Sequence, residues 1–210
     1  MREIDTLVFD YGGVIVNIDD RQVVDALVGL GVSRLKQLVY ARRIKELMRQ
    51  FIDGLVPTAQ TLDEMQALCR KGTTVQEILE VLDRLCGDLP VRRLQALANL
   101  RKRYKVYLLS NINDYLWERS AAQIRSLGFD PMDCFDGLFL SYEMEVAKPE
   151  AAIYDQMIAR TGLVPERTLY FDDRANNYEA GKALGFQAEL VKTNRIEELA
   201  AWQEIVSNVK

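Results

Sequence analysis

Residues 4–13 read IDTLVFDYGG, and this stretch decides the fold class of the 210-residue chain. The apolar run from Ile4 to Phe9 is short and almost continuous, and it ends at Asp10 and the Gly12-Gly13 pair. Such a run is typical of a strand that is buried on both faces of a parallel sheet and that leads into a tight loop. It predicts an α/β protein in which Asp10 lies at the tip of a strand.

Further apolar runs follow along the chain, and segments with helical spacing separate them. Strands are predicted at 106–109 (VYLL), 138–140, 168–171 (TLYF) and 188–191, with helices at 91–103, 151–161 and 177–184 between or beside them. This alternation predicts a doubly wound, Rossmann-like parallel sheet of about five strands. Ligands of such sheets bind beyond the carboxyl ends of the strands.

The segment from about Asp20 to about Leu89 has a different pattern. Its apolar residues recur at helical spacing throughout, and glycines separate the periodic stretches. Thr61 and Glu64 have the spacing of a capping box, which predicts a helix start at Thr61. We therefore expect an all-helical block inserted after the first strand.

Composition excludes several classes of function. The net charge is -4 with acidic and basic residues interspersed, so nothing favours binding to nucleic acid or to an anionic membrane. The chain has no histidine, which rules out Ser-His-Asp and Cys-His nucleophiles and histidine-ligated metals. Three widely spaced cysteines, no apolar leader and no membrane-length apolar run predict a soluble, cytoplasmic protein with reduced thiols.

Polar residues directly follow the predicted strands, as Asp10, Ser110-Asn111 and Asp172-Asp173. Parallel strands bring these ends to one edge, where three carboxylates are tolerated mainly around a hard divalent cation such as Mg²⁺. Ser110 and Asn111 offer donors for phosphate oxygens, and Lys148, in a segment predicted to be exposed, offers a mobile positive charge.

Each of these residues also has an ordinary structural interpretation. Ser110-Asn111 and Asp172-Asp173 could cap the helices that follow them, and Lys148 could be a solvated surface lysine. Their joint placement at successive strand ends favours a shared site.

The segments FDYGGVIV, LLSNIN, KPE and FDDRANNYEAG resemble the four motifs of the haloacid dehalogenase superfamily. With AIYDQMIARTGL, they resemble its bacterial sugar-phosphatase branch, which includes a glucose-1-phosphate phosphatase. The resemblance implies a Mg²⁺-dependent phosphatase that hydrolyses small phosphorylated metabolites through an aspartyl-phosphate. It also implies a core domain at 1–17 and 90–210 and a mobile helical cap at 18–89 that covers the site.

The resemblance also implies roles for individual residues. Asp10 would be the nucleophile, and Mg²⁺ would be held by Asp10, the Gly12 carbonyl, Asp172 and Asp173, with Asp173 the firmer ligand of the pair. Ser110 and Asn111 would bind the phosphoryl group, and Lys148 would stabilise the nucleophile and the charge of the transition state. Asn177 would orient Asp173 or Lys148.

One position departs from the pattern of most phosphatases in the superfamily, which carry a general acid two residues after the nucleophile. Here that residue is Gly12, which cannot transfer a proton. Two hypotheses follow: the substrate has an acidic leaving group, such as an anomeric oxygen, or Asp19 or Asp20 supplies the proton. The alternative role for Asp19 and Asp20 is to cap the first helix.

Two other functions remain open from the sequence. A 2-haloacid dehalogenase attacks carbon from a similar motif without metal, but the Asp172-Asp173 pair would repel its carboxylate substrate. A catalytically weak binding or regulatory protein with the same fold is the second alternative, and Gly12 is the feature that favours it.

Overall fold

The computed structural model describes residues 3–30 and 34–209, apart from the side chains of residues 20, 21, 24, 28, 34–42 and 44. Five strands form one parallel sheet: β1 (Thr6–Phe9), β2 (Lys105–Ser110), β3 (Gly137–Leu140), β4 (Thr168–Asp172) and β5 (Gln187–Leu190). The strand order is β3-β2-β1-β4-β5, so winding reverses between β1 and β4. This order confirms the predicted doubly wound α/β fold.

Helices follow and separate the strands. In chain order they are α1 (Asp20–Gly29), α2 (Arg34–Asp53), α3 (Thr58–Leu68), α4 (Val75–Leu82), α5 (Val91–Leu100), α6 (Asp114–Ser126), α7 (Pro131–Cys134), α8 (Ser141–Met144), α9 (Ala151–Thr161), α10 (Ala175–Ala183) and α11 (Ala200–Ser207). The described part of the segment from Asp20 to Leu89 consists of helices joined by short loops, as its periodicity predicts. The limits of a core domain and a cap domain stay a prediction. None of the helices within the described ranges is long and apolar enough to cross a membrane.

Strand β1 is buried on both faces, which explains its uninterrupted apolar run. Leu7 and Phe9 belong to one hydrophobic core, and Val8 points into a second core on the opposite face. The rings of Phe9 and Phe171 stack at 4.9 Å, so the two neighbouring strands are packed side by side at their tips. Each such fully buried side chain contributes about 1.5–3 kcal/mol to stability.

The register of the sheet aligns the strand ends. Phe9 pairs with Leu108 of β2 and with Phe171 of β4. The backbone N–H of Asp10 then donates to the carbonyl of Phe171 at 2.9 Å. The polar residues that follow these strands are therefore brought to one edge.

The predicted helix start at Thr61 is wrong. Helix α3 begins one turn earlier at Thr58, and Thr61 is completely buried inside it. A capping box forms instead at Thr74 and Glu77, where α4 begins. Because an apolar stripe repeats every turn, its spacing does not identify which turn is the first.

Candidate active site

Asp10 stands at the tip of β1 and is 7% exposed. Its Oδ1 accepts hydrogen bonds from the Tyr11 backbone N–H at 2.7 Å and contacts Lys148 Nζ at 3.0 Å. Among the described residues, none donates to Oδ2. One carboxylate oxygen is thus held in place, and the other remains available for reaction.

Lys148 is buried, so the predicted mobile surface lysine is wrong. Its Nζ lies 3.0 Å from Asp10 Oδ1 and 2.7 Å from Asp172 Oδ2, and it donates to the Leu109 carbonyl at 2.8 Å. Burial lowers the pKa of Lys148, but Asp10 and Asp172 outweigh it, so the pKa lies above its ordinary value. The ammonium group therefore stays charged and points at Asp10.

Asp172 is fully buried, and both of its oxygens accept several hydrogen bonds. Oδ2 accepts from Tyr170 Oη at 2.5 Å and from Lys148, and Oδ1 accepts from the Arg174 backbone N–H at 2.8 Å. Asn177 Nδ2 lies 3.1 and 3.2 Å from the two oxygens. Asn177 thus orients Asp172, rather than Asp173 or Lys148 directly as the sequence predicted.

The residues present fit a divalent cation. Asp10, Asp172 and Asp173 each bring a carboxylate oxygen within 4.8 Å of the others, which suits a hard cation. In the described part of the chain the Gly12 carbonyl accepts no hydrogen bond. A Cβ on Gly13 would lie 2.3 Å from Asp173 Oδ2, so glycine is required for the close approach of Asp173. Since the oxygens of Asp172 already accept hydrogen bonds, Asp10 and Asp173 are the carboxylates of this cluster that are better able to hold a cation.

The surroundings of Asp10 oppose its ionisation. Its pKa is raised to about 7, and burial is the largest cause. Lys148 lowers the pKa, whereas the neighbouring carboxylates Asp172 and Asp173 act with burial to raise it. A nearby cation would restore the ionised form that a nucleophile requires.

Ser110 and Asn111 have different environments. Ser110 is buried at the end of β2, lines the pocket beside Asp10 and makes no side-chain hydrogen bond within the described residues. The Asn111 side chain is already used: Nδ2 donates to Asp53 Oδ1 at 3.0 Å and to the Lys148 carbonyl at 2.9 Å. Its Oδ1 accepts from the Lys148 N–H at 2.8 Å. The Asn111 side chain therefore supports Lys148 and is not free for a phosphate oxygen.

The pocket above Asp10 has walls from both the sheet edge and the helical insertion. The insertion contributes apolar side chains to it, namely Ile18, Ile52 and Leu85. A Cβ built on Gly12 would meet Ile18 Cδ1 at 3.7 Å. Asp10 is the one acidic residue that lines this pocket in the described ranges. The structure thus shows no second carboxylate there that could act as a general acid.

Asp19 lies at the start of α1 and does not line the pocket. Its Oδ1 accepts from the Gln22 backbone N–H at 3.3 Å, which is the geometry of a helix cap. This placement favours the capping interpretation for Asp19. The side chain of Asp20 lies outside the described residues.

Sequence reasoning missed four residues of the site. Tyr170 precedes Asp172 by two positions, so both side chains lie on the same side of β4. The two-residue period of a strand could have identified Tyr170 as a site residue. Thr193, which donates to Asp173 Oδ2 at 2.9 Å, follows the last strand as the other site residues follow theirs. Arg174 lines the pocket and stands within a quoted motif. Asp53 ends a helix far away in sequence, and no pattern marks it.

Comparisons with known proteins agree with this geometry. Residues 4–185 match the family model of haloacid dehalogenase-like hydrolases. A D-ribitol-5-phosphate phosphatase of Bacteroides thetaiotaomicron is 31% identical over 202 residues, which cover 96% of each chain.

Solved structures give the same result. A haloacid dehalogenase family enzyme of Bacteroides thetaiotaomicron superposes with a TM-score of 0.85 at 28% identity, over 92% of this chain and 96% of that one. A crystal structure of the wild-type enzyme with magnesium and inorganic phosphate has a TM-score of 0.79 at 28% identity, over 91% and 96% of the two chains. These matches confirm the predicted superfamily: the chain belongs to the haloacid dehalogenase-like hydrolases.

Proposed function

We propose that this protein is a Mg²⁺-dependent phosphatase that hydrolyses a small phosphorylated metabolite through an aspartyl-phosphate on Asp10. The observation that carries the proposal is the placement of Lys148 between Asp10 and Asp172, with Asp173 beside them, at the carboxyl edge of the sheet. The phosphatase among the relatives and the magnesium and phosphate in the related crystal structure support it.

Each residue of the site has its own role in the proposed hydrolysis. Asp10 attacks phosphorus through its free Oδ2, the bond to the leaving oxygen breaks, and an acyl phosphate forms. Water then attacks this phosphorus, releases inorganic phosphate and restores the Asp10 carboxylate. Lys148 and the Ser110 hydroxyl offset and orient the charge of the phosphoryl oxygens. Mg²⁺ held by Asp10, Gly12 and Asp173 would neutralise further phosphate charge.

The substrate class follows from Gly12 and the pocket walls. Since Asp10 is the sole acidic residue found to line the pocket, the leaving oxygen must take its proton from water. Esters with an acidic leaving group depend least on a donor, which supports a sugar 1-phosphate such as glucose 1-phosphate. The relative's name makes D-ribitol 5-phosphate, whose leaving oxygen is an ordinary alcohol, the competing candidate.

The helical segment 18–89 acts as a cap in this proposal. It supplies Ile18, Ile52 and Leu85 to the pocket directly above the catalytic residues. Apolar side chains at this position exclude water and strengthen the electrostatic interactions beneath them. Substrate selection is then a property of this segment.

A panel of phosphate esters tests the proposal. We expect turnover of p-nitrophenyl phosphate and of at least one sugar or sugar-alcohol phosphate with Mg²⁺, and loss of turnover with EDTA. Asp10→Asn, the matched control, should lower kcat by at least about 10³-fold because the nucleophile is removed. Failure of every ester to react, while phosphate still raises the Tm, would instead favour a binding protein.

The dehalogenase alternative makes an opposite prediction. It requires chloride release from 2-chloropropionate in the presence of EDTA. The Asp173 carboxylate beside Asp10 opposes a carboxylate substrate unless a cation neutralises it. We therefore expect no chloride release from this protein under metal-free conditions.

A further inference from the structure

Asp53 is the last residue of α2, yet it lies against the catalytic edge of the sheet. Only 6% of the residue is exposed. Its Oδ1 accepts from Asn111 Nδ2 at 3.0 Å, and its Oδ2 accepts from Arg49 Nη1 at 2.9 Å. Its carbonyl accepts from Ser141 Oγ at 2.6 Å. The end of this inserted helix is therefore tied to two loops of the sheet edge.

Asn111 links Asp53 to Lys148 through hydrogen bonds. The Asn111 side chain binds both backbone groups of Lys148, its N–H at 2.8 Å and its carbonyl at 2.9 Å. The remaining Nδ2 hydrogen goes to Asp53, which as a carboxylate can only accept. Asp53 thus fixes the side-chain amide in the orientation that both Lys148 bonds require.

The position of the Lys148 backbone matters because every proton of the Lys148 ammonium group is already engaged in a contact. Its three protons are directed to Asp10, Asp172 and the Leu109 carbonyl, and its side chain is fully buried. A displacement of about 1 Å would break one of these contacts, and such a misplacement can lower a rate by about 10²-fold.

Ion pairing with Arg49 does not by itself account for a buried carboxylate here. Arg49 already binds Glu46 through two hydrogen bonds on the helix surface. Burial raises the pKa of Asp53, and both Arg49 and the hydrogen bond from Asn111 act against this rise. Asn111 is the partner that benefits from an acceptor at this place.

We propose that Asp53 is a positioning residue for Lys148, acting through the Asn111 side chain, so that docking of α2 and placement of the catalytic lysine are coupled. The effect on catalysis rests on the proposed phosphatase function. The coupling itself can be measured without any substrate.

Hydrogen exchange of the Lys148 amide tests the coupling directly. We expect Asp53→Ala to speed exchange in a peptide that spans residues 146–150 by about tenfold or more, since the Asn111 amide loses its anchor. Asp53→Asn keeps an acceptor at Oδ1 and should stay near the wild type. Arg49→Gln removes the ion pair alone and should also stay near the wild type. Asp53→Ser, whose hydroxyl is too short to reach Asn111, replaces the alanine variant if that variant does not fold.

Kinetics provide the second readout. Asp53→Ala should lower kcat by about 10- to 100-fold with KM within about twofold, and Asp53→Asn should recover most of kcat. Unchanged Lys148 exchange in folded Asp53→Ala, or an equal effect of Arg49→Gln, would overturn the coupling. If Asp53→Ala speeds Lys148 exchange but the wild type hydrolyses no phosphate ester, the proposed function is overturned and the coupling stands.

Discussion

In the proposed reaction, the lack of a side chain at Gly12 leaves the leaving group without a general acid at that position. Asp10, the proposed nucleophile, is oriented by the Tyr11 N–H. Lys148, which would offset the phosphoryl charge, is held between the carboxylates of Asp10 and Asp172. Apart from Asp10, the described residues of the pocket include no acidic group that could protonate a leaving oxygen. The rate should therefore depend strongly on the acidity of the leaving group.

Restoring the acid at Gly12 tests this dependence. The Cβ of Gly12→Asp would lie 3.7 Å from Ile18, an ordinary contact, so the substitution causes no clash at that atom. We expect kcat/KM for alkyl phosphates to rise about 10²-fold relative to aryl phosphates, which need no proton. Gly12→Asn, of the same size, is the control. Equal alkyl-to-aryl ratios for the two variants would show that proton supply does not limit the reaction.

The raised pKa of Asp10 predicts a pH-dependent stability. The folded value is about 7 against 3.8 ordinarily, so folding takes up a proton between these values. In EDTA, the Tm of the wild type relative to Asp10→Asn should fall between about pH 4 and pH 7 and then level off. Saturating Mg²⁺ should shrink or remove this fall, because the cation favours the carboxylate and so lowers the folded-state pKa towards its ordinary value. A flat difference in EDTA would contradict the raised pKa.

At the scale of elements, the end of α2 docks tightly on the sheet edge. Gly54 follows this helix with φ of +66°, and a Cβ there would lie 2.8 Å from Asn113 Cα and from Tyr142 Cβ. The backbone of the insertion thus touches the loop that follows β2. This contact places Asp53 within reach of Asn111.

Substitution of Gly54 by alanine tests the docking. Gly162 has nearly the same φ, +68°, but open space around it, and so provides a matched control. Gly162→Ala should lower the free energy of unfolding by about 1 kcal/mol through backbone strain alone. Gly54→Ala should cost at least about 3 kcal/mol, because strain and overpacking combine. Urea denaturation measures the free energy of unfolding of both variants. Equal losses would mean that the residues around Gly54 move aside for the new Cβ without an energetic cost.

At the scale of the whole molecule, one buried arginine joins distant parts of the chain. Arg93 of α5 is 1% exposed and donates to the Ile15 carbonyl, Asn17 Oδ1 and the Asn194 carbonyl at 3.1, 2.9 and 2.9 Å. It also binds Glu197 at 2.9 Å. Asn17 pairs with Asp88 where the chain enters and leaves the helical segment. Arg93 therefore ties the residues that follow β1 to the segment around Asn194 and Glu197.

Replacing Arg93 by methionine should destabilise the fold. The apolar stem is kept, but several buried acceptors lose their donor, so we expect a loss of about 3 kcal/mol. Arg92→Met is the control, since exposed Arg92 also contacts Glu197, at 3.1 Å. A similar loss in the control would mean that burial of Arg93 adds nothing.

The pH dependence of the Arg93 variant provides a separate check. Burial acts to raise the pKa of Glu197, but Arg93 and its other hydrogen-bond partners lower it to about 2 from an ordinary 4.5. This contribution to stability is complete above about pH 4.5 and is lost as pH falls towards 2. The stability difference between wild type and Arg93→Met should shrink over that range in denaturation experiments.

The sequence by itself determined the sheet and the gathering of its acidic residues. Apolar runs that end in Asp10, Ser110 and Asp172 are local signals, and the parallel topology brings all such ends to one edge. The strand limits were predicted to within about two residues, most directly for β1 and β4, because burial on both faces leaves a clear mark on their composition.

Only the tertiary structure decided how these residues are used. Lys148 binds Asp172 and Asn111, and Asn111 binds Asp53. These contacts join residues that lie 24–58 positions apart in the sequence. Such contacts arise when separate elements pack, and no period of 2 or 3.6 residues records them. A polar residue at a strand end is therefore readable in advance, whereas its partner is settled by packing.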